Sequence, residues 1–110
     1  MKRPKVMMVI TNRNLTEKVL KELNLLNIHF IDVMLGKGTA KSEFVSLLGL
    51  GETERAVFLF YVDEPDVQLV FDMLKTKFDF SSPGKGIAFT MPISAVGGPA
   101  TLRLFDRKRS

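Results

Sequence analysis

The chain has no cysteine, one histidine and one tyrosine among its 110 residues. Without cysteine there can be no disulfide, no zinc–thiolate site and no cysteine nucleophile. A lone histidine, His29, cannot supply the paired nitrogens of a common zinc site; it is expected in a strand. Long apolar runs are missing too. No stretch approaches the roughly 18 apolar residues that a membrane-spanning helix needs. The apolar part of "MKRPKVMMVITNRN", Val6 to Ile10, is too short for a signal-peptide core, and no small-residue cleavage pattern follows it. The expectation is a soluble cytoplasmic protein without a metal.

What is present is apolar residues at 45%, enough at this length for one compact core. The net charge of +4 comes mostly from the ends: Lys2, Arg3 and Lys5, then Arg103, Arg107, Lys108 and Arg109. Basic ends can contact nucleic acid or anionic lipid, but a solvated tail that aids solubility is the preferred reading. Residues 1–98 are read as one domain with a long loop at 36–54, and residues 99–110 as a basic tail.

Short apolar runs and helical periodicity alternate along the chain. "KVMMVIT", residues 5–11, reads as a strand. A helix is expected from Leu15, capped by Asn14 with Glu17 three positions on, and buried along Leu15, Val19, Leu23 and Leu26. "IHFIDVML", residues 28–35, is the second strand, and the flexible "GKGTAKS" follows. "EFVSLLGLGETE" holds a helical turn or two, with Ser42 as a cap and Gly49 and Gly51 as stops. "RAVFLFYV", residues 55–62, is the third strand. A second helix starts at Pro65, capped by Asp63 or Glu64, and buries Val67, Val70, Phe71, Leu74 and Phe78. "FSSPGKG" turns the chain into a fourth strand, "GIAFTMPI". The βαββαβ order predicts an α+β, ferredoxin-like fold: a four-stranded antiparallel sheet with two helices on one face.

Side chains alternate between the faces of a strand. In the third strand Val57, Leu59 and Tyr61 share one face, and Ala56, Phe58, Phe60 and Val62 the other. Both sets are apolar, as are Val6, Met8 and Ile10 against Met7 and Val9. A sheet with one wet face should alternate apolar with polar. Two helices cover one face only, so the pattern predicts that the second is covered by further copies of the chain. The rival covers are the C-terminal tail and single-stranded nucleic acid stacked on aromatics. RNA-recognition modules share this element order, but "RAVFLFYV" lacks their glycines and interleaved cations, so Phe58 and Phe60 are expected in the core and no nucleic acid is expected as partner.

The element order, "GKGTAKSEF" after the second strand, "LLGLGETE" before the third and "PGKGIAF" before the fourth resemble the nitrogen regulatory PII family of signalling proteins. The resemblance covers residues 5 to about 98. It implies a PII-like homotrimer with the sheets packed together inside, and a cleft between subunits for a small anionic effector, with an adenine nucleotide as the candidate. It places Gly36, Lys37, Gly38 and Thr39 at the base of the long loop, and Gly84, Lys85 and Gly86 at the loop before the last strand, where the family has Gly-Asp-Gly. Glycine lets backbone N–H groups approach phosphate oxygens and lysine adds charge. The resemblance also implies a regulated target, a membrane transporter or an enzyme, reached through the long loop, where Phe44, Val45, Leu47 and Leu48 are the apolar contact candidates. Packing on their own trimer is the competing role for those four.

Three departures narrow the expectation. Ile87 stands where the family has a lysine after Gly-Asp-Gly, "AVGGPA" replaces its Arg-x-Arg pair, and Tyr61, in a strand, is no substitute for a tyrosine at the loop tip. Weak triphosphate preference and no tyrosine uridylylation follow. Lys85, and Arg103 if the tail folds back, are the cations available instead. A nucleic-acid module using the basic termini and a trimer of the CutA type are the alternatives. An enzyme finds no support, because there is no nucleophile–base pair and no metal set, and a solvated loop explains Glu43, Glu52 and Glu54. "PGKGIAF" itself is not a Walker loop, since it lacks the spacing and opens no helix. A plain turn into a buried strand and an anion-contacting loop both remain open for it.

Overall fold

A computed structural model describes residues 3–37 and 54–93. "KVMMVIT" lies within β1, Pro4–Asn12. A single 3-10 turn, Arg13–Leu15, then leads into α1, Thr16–Leu25. The expected cap at Asn14 is displaced by this turn. Asn14 is already helical, Leu15 occupies the cap position of α1 without a side-chain bond, and the Thr16 hydroxyl donates to the Arg13 carbonyl at 2.6 Å. Glu17 therefore forms no capping box, but it remains in the first turn, where a carboxylate suits the helix dipole.

Both helices stop on a polar residue in the left-handed region. Asn27 has φ 64° and Asp79 φ 58°. At the end of α1 the Ile28 N–H donates to the Leu23 carbonyl and the Asn27 N–H to the Asn24 carbonyl, both at 3.0 Å. This is a Schellman closure, and its accompanying apolar contact is present because Leu23 and Ile28 lie in the same buried cluster. The turn consumes residues 26–30, so β2 begins only at Ile31 and runs to Lys37. His29 thus precedes the strand rather than lying in it. It is exposed, with Nδ1 3.2 Å from Asn24 Oδ1.

β3, Glu54–Asp63, and α2, Glu64–Phe78, follow. Pro65 sits in the first turn of α2, and Asp63 occupies the cap position without making a side-chain cap bond. β4 is Gly86–Pro92. The sheet order is β2-β3-β1-β4, with every pairing antiparallel. Val19 and Leu23 of α1 and Val70, Leu74 and Phe78 of α2 pack with Met7, Val9, Ala56, Phe58, Phe60 and Val62. These strand residues belong to one face, so both helices cover that face. The α+β arrangement is compatible with a ferredoxin-like fold. Among the described residues no helix is long and apolar enough to cross a membrane.

Candidate functional site

The register brings four chain segments to one end of the sheet. Asn12 of β1 is opposite Arg55 of β3, Gly36 of β2 is opposite the same Arg55, and Thr11 of β1 is opposite Gly86 of β4. The end of β2 and the start of β4 therefore lie at the same end but on opposite edges. Three strand spacings separate them, about 14 Å. Gly36 and Lys37 are strand residues rather than loop, and their strand is not paired with the one that Gly84, Lys85 and Gly86 lead into. Gly38 and Thr39, and the contact candidates Phe44, Val45, Leu47 and Leu48, lie outside the described residues.

The turn before β4 has a structural reason for each of its glycines. Gly84 has φ 80°, a conformation that side chains resist. At Gly86 a Cβ would come within 2.5 Å of Phe80 Cζ and 2.8 Å of the Ile10 carbonyl oxygen, so the Phe80 ring occupies the place of a side chain. Between them the Lys85 carbonyl accepts a 2.8 Å hydrogen bond from the hydroxyl of Thr11, which is fully buried. "PGKG" is thus a turn held from inside the sheet, with Lys85 itself exposed. Gly36 differs. A Cβ there would have nothing within 4 Å, so neither packing nor a positive φ requires glycine.

One cation at this end is absent from the sequence-based expectations. Arg55 shares the face of Val57, Leu59 and Tyr61, the face without helices. Its Nη1 is shut off from solvent and finds no hydrogen-bond partner among the described residues. Counting alternation back from Val57 would have placed it there. Arg13 Nε is likewise buried without a hydrogen-bond partner among the described residues, although its Nη1 lies 3.1 Å from Glu54 Oε2. Both partners are well exposed, so the pair adds little stability.

The helix-free face below Arg55 is apolar in successive cross-strand rows apart from Asp32 at the β2 edge. Met34, Val57, Ile10 and Ile87 form one row, then Asp32, Leu59, Met8 and Phe89, then Tyr61, Val6 and Met91. Met34 is 51% exposed, Tyr61 39% and Met91 37%. Phe58 and Phe60, the aromatics a nucleic-acid module would display, are 0% and 2% exposed under the helices. On the helix side a cleft of about 330 Å³ opens between α2 and β4, walled by Phe71, Leu74, Phe80 and Ala88. Among the described residues no group of three or more His, Cys, Asp or Glu side chains could hold a metal ion.

Compared with models of known protein families and with curated proteins, the chain matches none.

Proposed function

We propose that this chain is a non-catalytic regulatory protein of the PII-like type. Three copies associate through the helix-free faces of their sheets. A small anionic effector, with an adenine nucleotide as the candidate, binds at the sheet end where Gly36 and Lys85 lie, and residues 36–54 transmit its presence to a target.

The observation that carries this reading is the apolar helix-free face. Val6, Met8, Val57, Leu59, Phe89 and Met91 occupy adjacent positions in the paired strands. An apolar area of this kind marks an interaction surface. Its residues are mostly aliphatic and sulfur-bearing, with Tyr61 and Phe89 as its aromatics, and no cation is interleaved among them, which favours another protein surface over nucleic acid. A second copy of the same face is the simplest complement. Association would also give the sheet-end loops neighbours from another subunit, which one chain alone does not provide across about 14 Å.

Two measurements test it. Light scattering coupled to size exclusion should give about three times the chain mass of 12.4 kDa. A thermal-shift screen of nucleotides and small anions should raise the midpoint with at least one of them. A monomer at micromolar concentration would overturn the assembly, and a flat screen would overturn the effector.

A further inference from the structure

We infer that the C-terminal stretch "TLRLF", residues 101–105, pairs with the outer edge of β4 as a fifth strand and seats the Phe105 ring in the cleft between α2 and β4. The inference goes beyond the regulatory reading above and depends on neither its effector nor its trimer.

The open edge comes first. The described residues end at Ile93, directly after β4. β4 pairs with β1 and has no second neighbour among the described residues. Its outer row of N–H and C=O groups is therefore a template for another strand. Edges are usually guarded by charge or by proline. The opposite edge, β2, carries Asp32 and Lys37. "GIAFTM" carries no charge, and Pro92 comes only at its end.

The sequence that follows supplies a strand of the right length. Gly97, Gly98 and Pro99 are residues that reverse a chain. "TLRLF" then alternates, with Leu102 and Leu104 on one side and Thr101, Arg103 and Phe105 on the other. From Ile93 back to Ala88 is about 16 Å of strand, which residues 101–105 cover once 94–100 have made the reversal.

One register suits both faces. Ala88 and Thr90 are opposite Val9 and Met7, which lie under the helices, whereas Phe89 and Met91 are opposite Met8 and Val6 on the helix-free side. With Phe105 opposite Ala88, Arg103 is opposite Thr90, and Leu104 and Leu102 are opposite Phe89 and Met91. The two leucines then extend the apolar rows of the helix-free face, and the ring points to the helix side. There the cleft of about 330 Å³ is walled by Phe71, Leu74, Phe80 and Ala88. Phe71, Phe80 and Ala88 pack on the core but are only partly buried, so a ring seated on them removes more apolar surface from water. A slip of one residue would carry Phe105 to the other face.

The chain has no cysteine, so a disulfide trap in the full-length protein has a clean background. Thr90→Cys with Arg103→Cys should close within one chain under mild oxidation, because directly opposite residues of antiparallel strands meet disulfide geometry. Thr90→Cys with Arg109→Cys should close at least tenfold more slowly. Equal rates mean a freely moving tail and overturn the inference. Links chiefly between chains overturn it in favour of a strand exchanged between copies. Urea unfolding of Phe105→Ala, Phe71→Ala and the double variant tests the seat of the ring. Each single change should raise the unfolding constant about tenfold or more, and the double variant should fall short of their product by about threefold or more, since the two rings share a contact. Phe71→Leu replaces Phe71→Ala in the cycle if the latter fails to fold. A Phe105→Ala protein as stable as wild type, or effects that multiply in full, places Phe105 outside the cleft and overturns the register.

Discussion

The Thr11 hydroxyl donates a 2.8 Å hydrogen bond to the Lys85 carbonyl, joining the middle of the sheet to the turn that opens its edge strand. Among the described residues Thr11 is the buried polar one, and its partner lies 74 positions away in the chain. The bond fixes where Lys85 stands relative to Asn12 and Arg55. Thr11→Val keeps the branched shape and removes the donor. It should lower stability by about 1–2 kcal/mol in urea unfolding. Full retention of stability would show that the turn is anchored elsewhere.

Gly36 and Gly86 should respond in opposite ways. Gly86→Ala drives a Cβ against the Phe80 ring and the Ile10 carbonyl, and should cost about 2–3 kcal/mol. Phe80→Leu in the same chain should recover part of that loss, since the ring can be removed but the carbonyl cannot. Gly36→Ala meets nothing, so its stability should match or slightly exceed wild type, by up to about 1 kcal/mol. Thermal unfolding of the three variants decides it, and a Gly86→Ala protein as stable as Gly36→Ala would mean that Phe80 does not hold this position.

Leu59 lies at the centre of the helix-free face, opposite Met8 and Asp32. Leu59→Asp should leave the fold intact, by circular dichroism, and break the proposed trimer, so that light scattering gives the mass of one chain. A buried, unpaired carboxylate at an interface costs several kcal/mol per copy, more than a marginal assembly tolerates. Persistence of the trimer in Leu59→Asp would place the interface on another surface.

Phe58→Ala should destabilise by about 3–5 kcal/mol, as truncation of a fully buried aromatic does. Phe30→Ala, at a residue 65% exposed, should cost less than about 1 kcal/mol. Single-stranded RNA should be retained no better by wild type than by a Phe58 variant that remains folded, because the ring is not accessible for stacking. Specific RNA binding that disappears with Phe58 would contradict its place under the helices.

Among the described residues periodicity alone determined the order of strands, both helices and the two apolar faces of the sheet; the helical turn expected in "EFVSLLGLGETE" lies outside them. Val19, Leu23, Val70 and Leu74 recur at helical spacing, and Val57, Leu59 and Tyr61 alternate with Ala56, Phe58 and Phe60, because helix and strand geometry fix which neighbours share a side. Local rules read less well at the element ends. Asn14 looked like a cap, but a 3-10 turn had already begun before it, and Asn27, which weakens the helical pattern, is the left-handed stop that moves β2 to Ile31. The glycines of "PGKGIAF" could be recognised as a turn; the reason for Gly86 could not, because it depends on Phe80 and on the carbonyl of Ile10 across the sheet. The face of Arg55 could be counted from Val57, but its surroundings could not, for the same reason. Its neighbours Gly36 and Asn12 are 19 and 43 positions away, and only strand order and register put the three in one row. Sequence spacing encodes which face a residue occupies, whereas what it meets there is set by hydrogen-bonded pairing between distant strands.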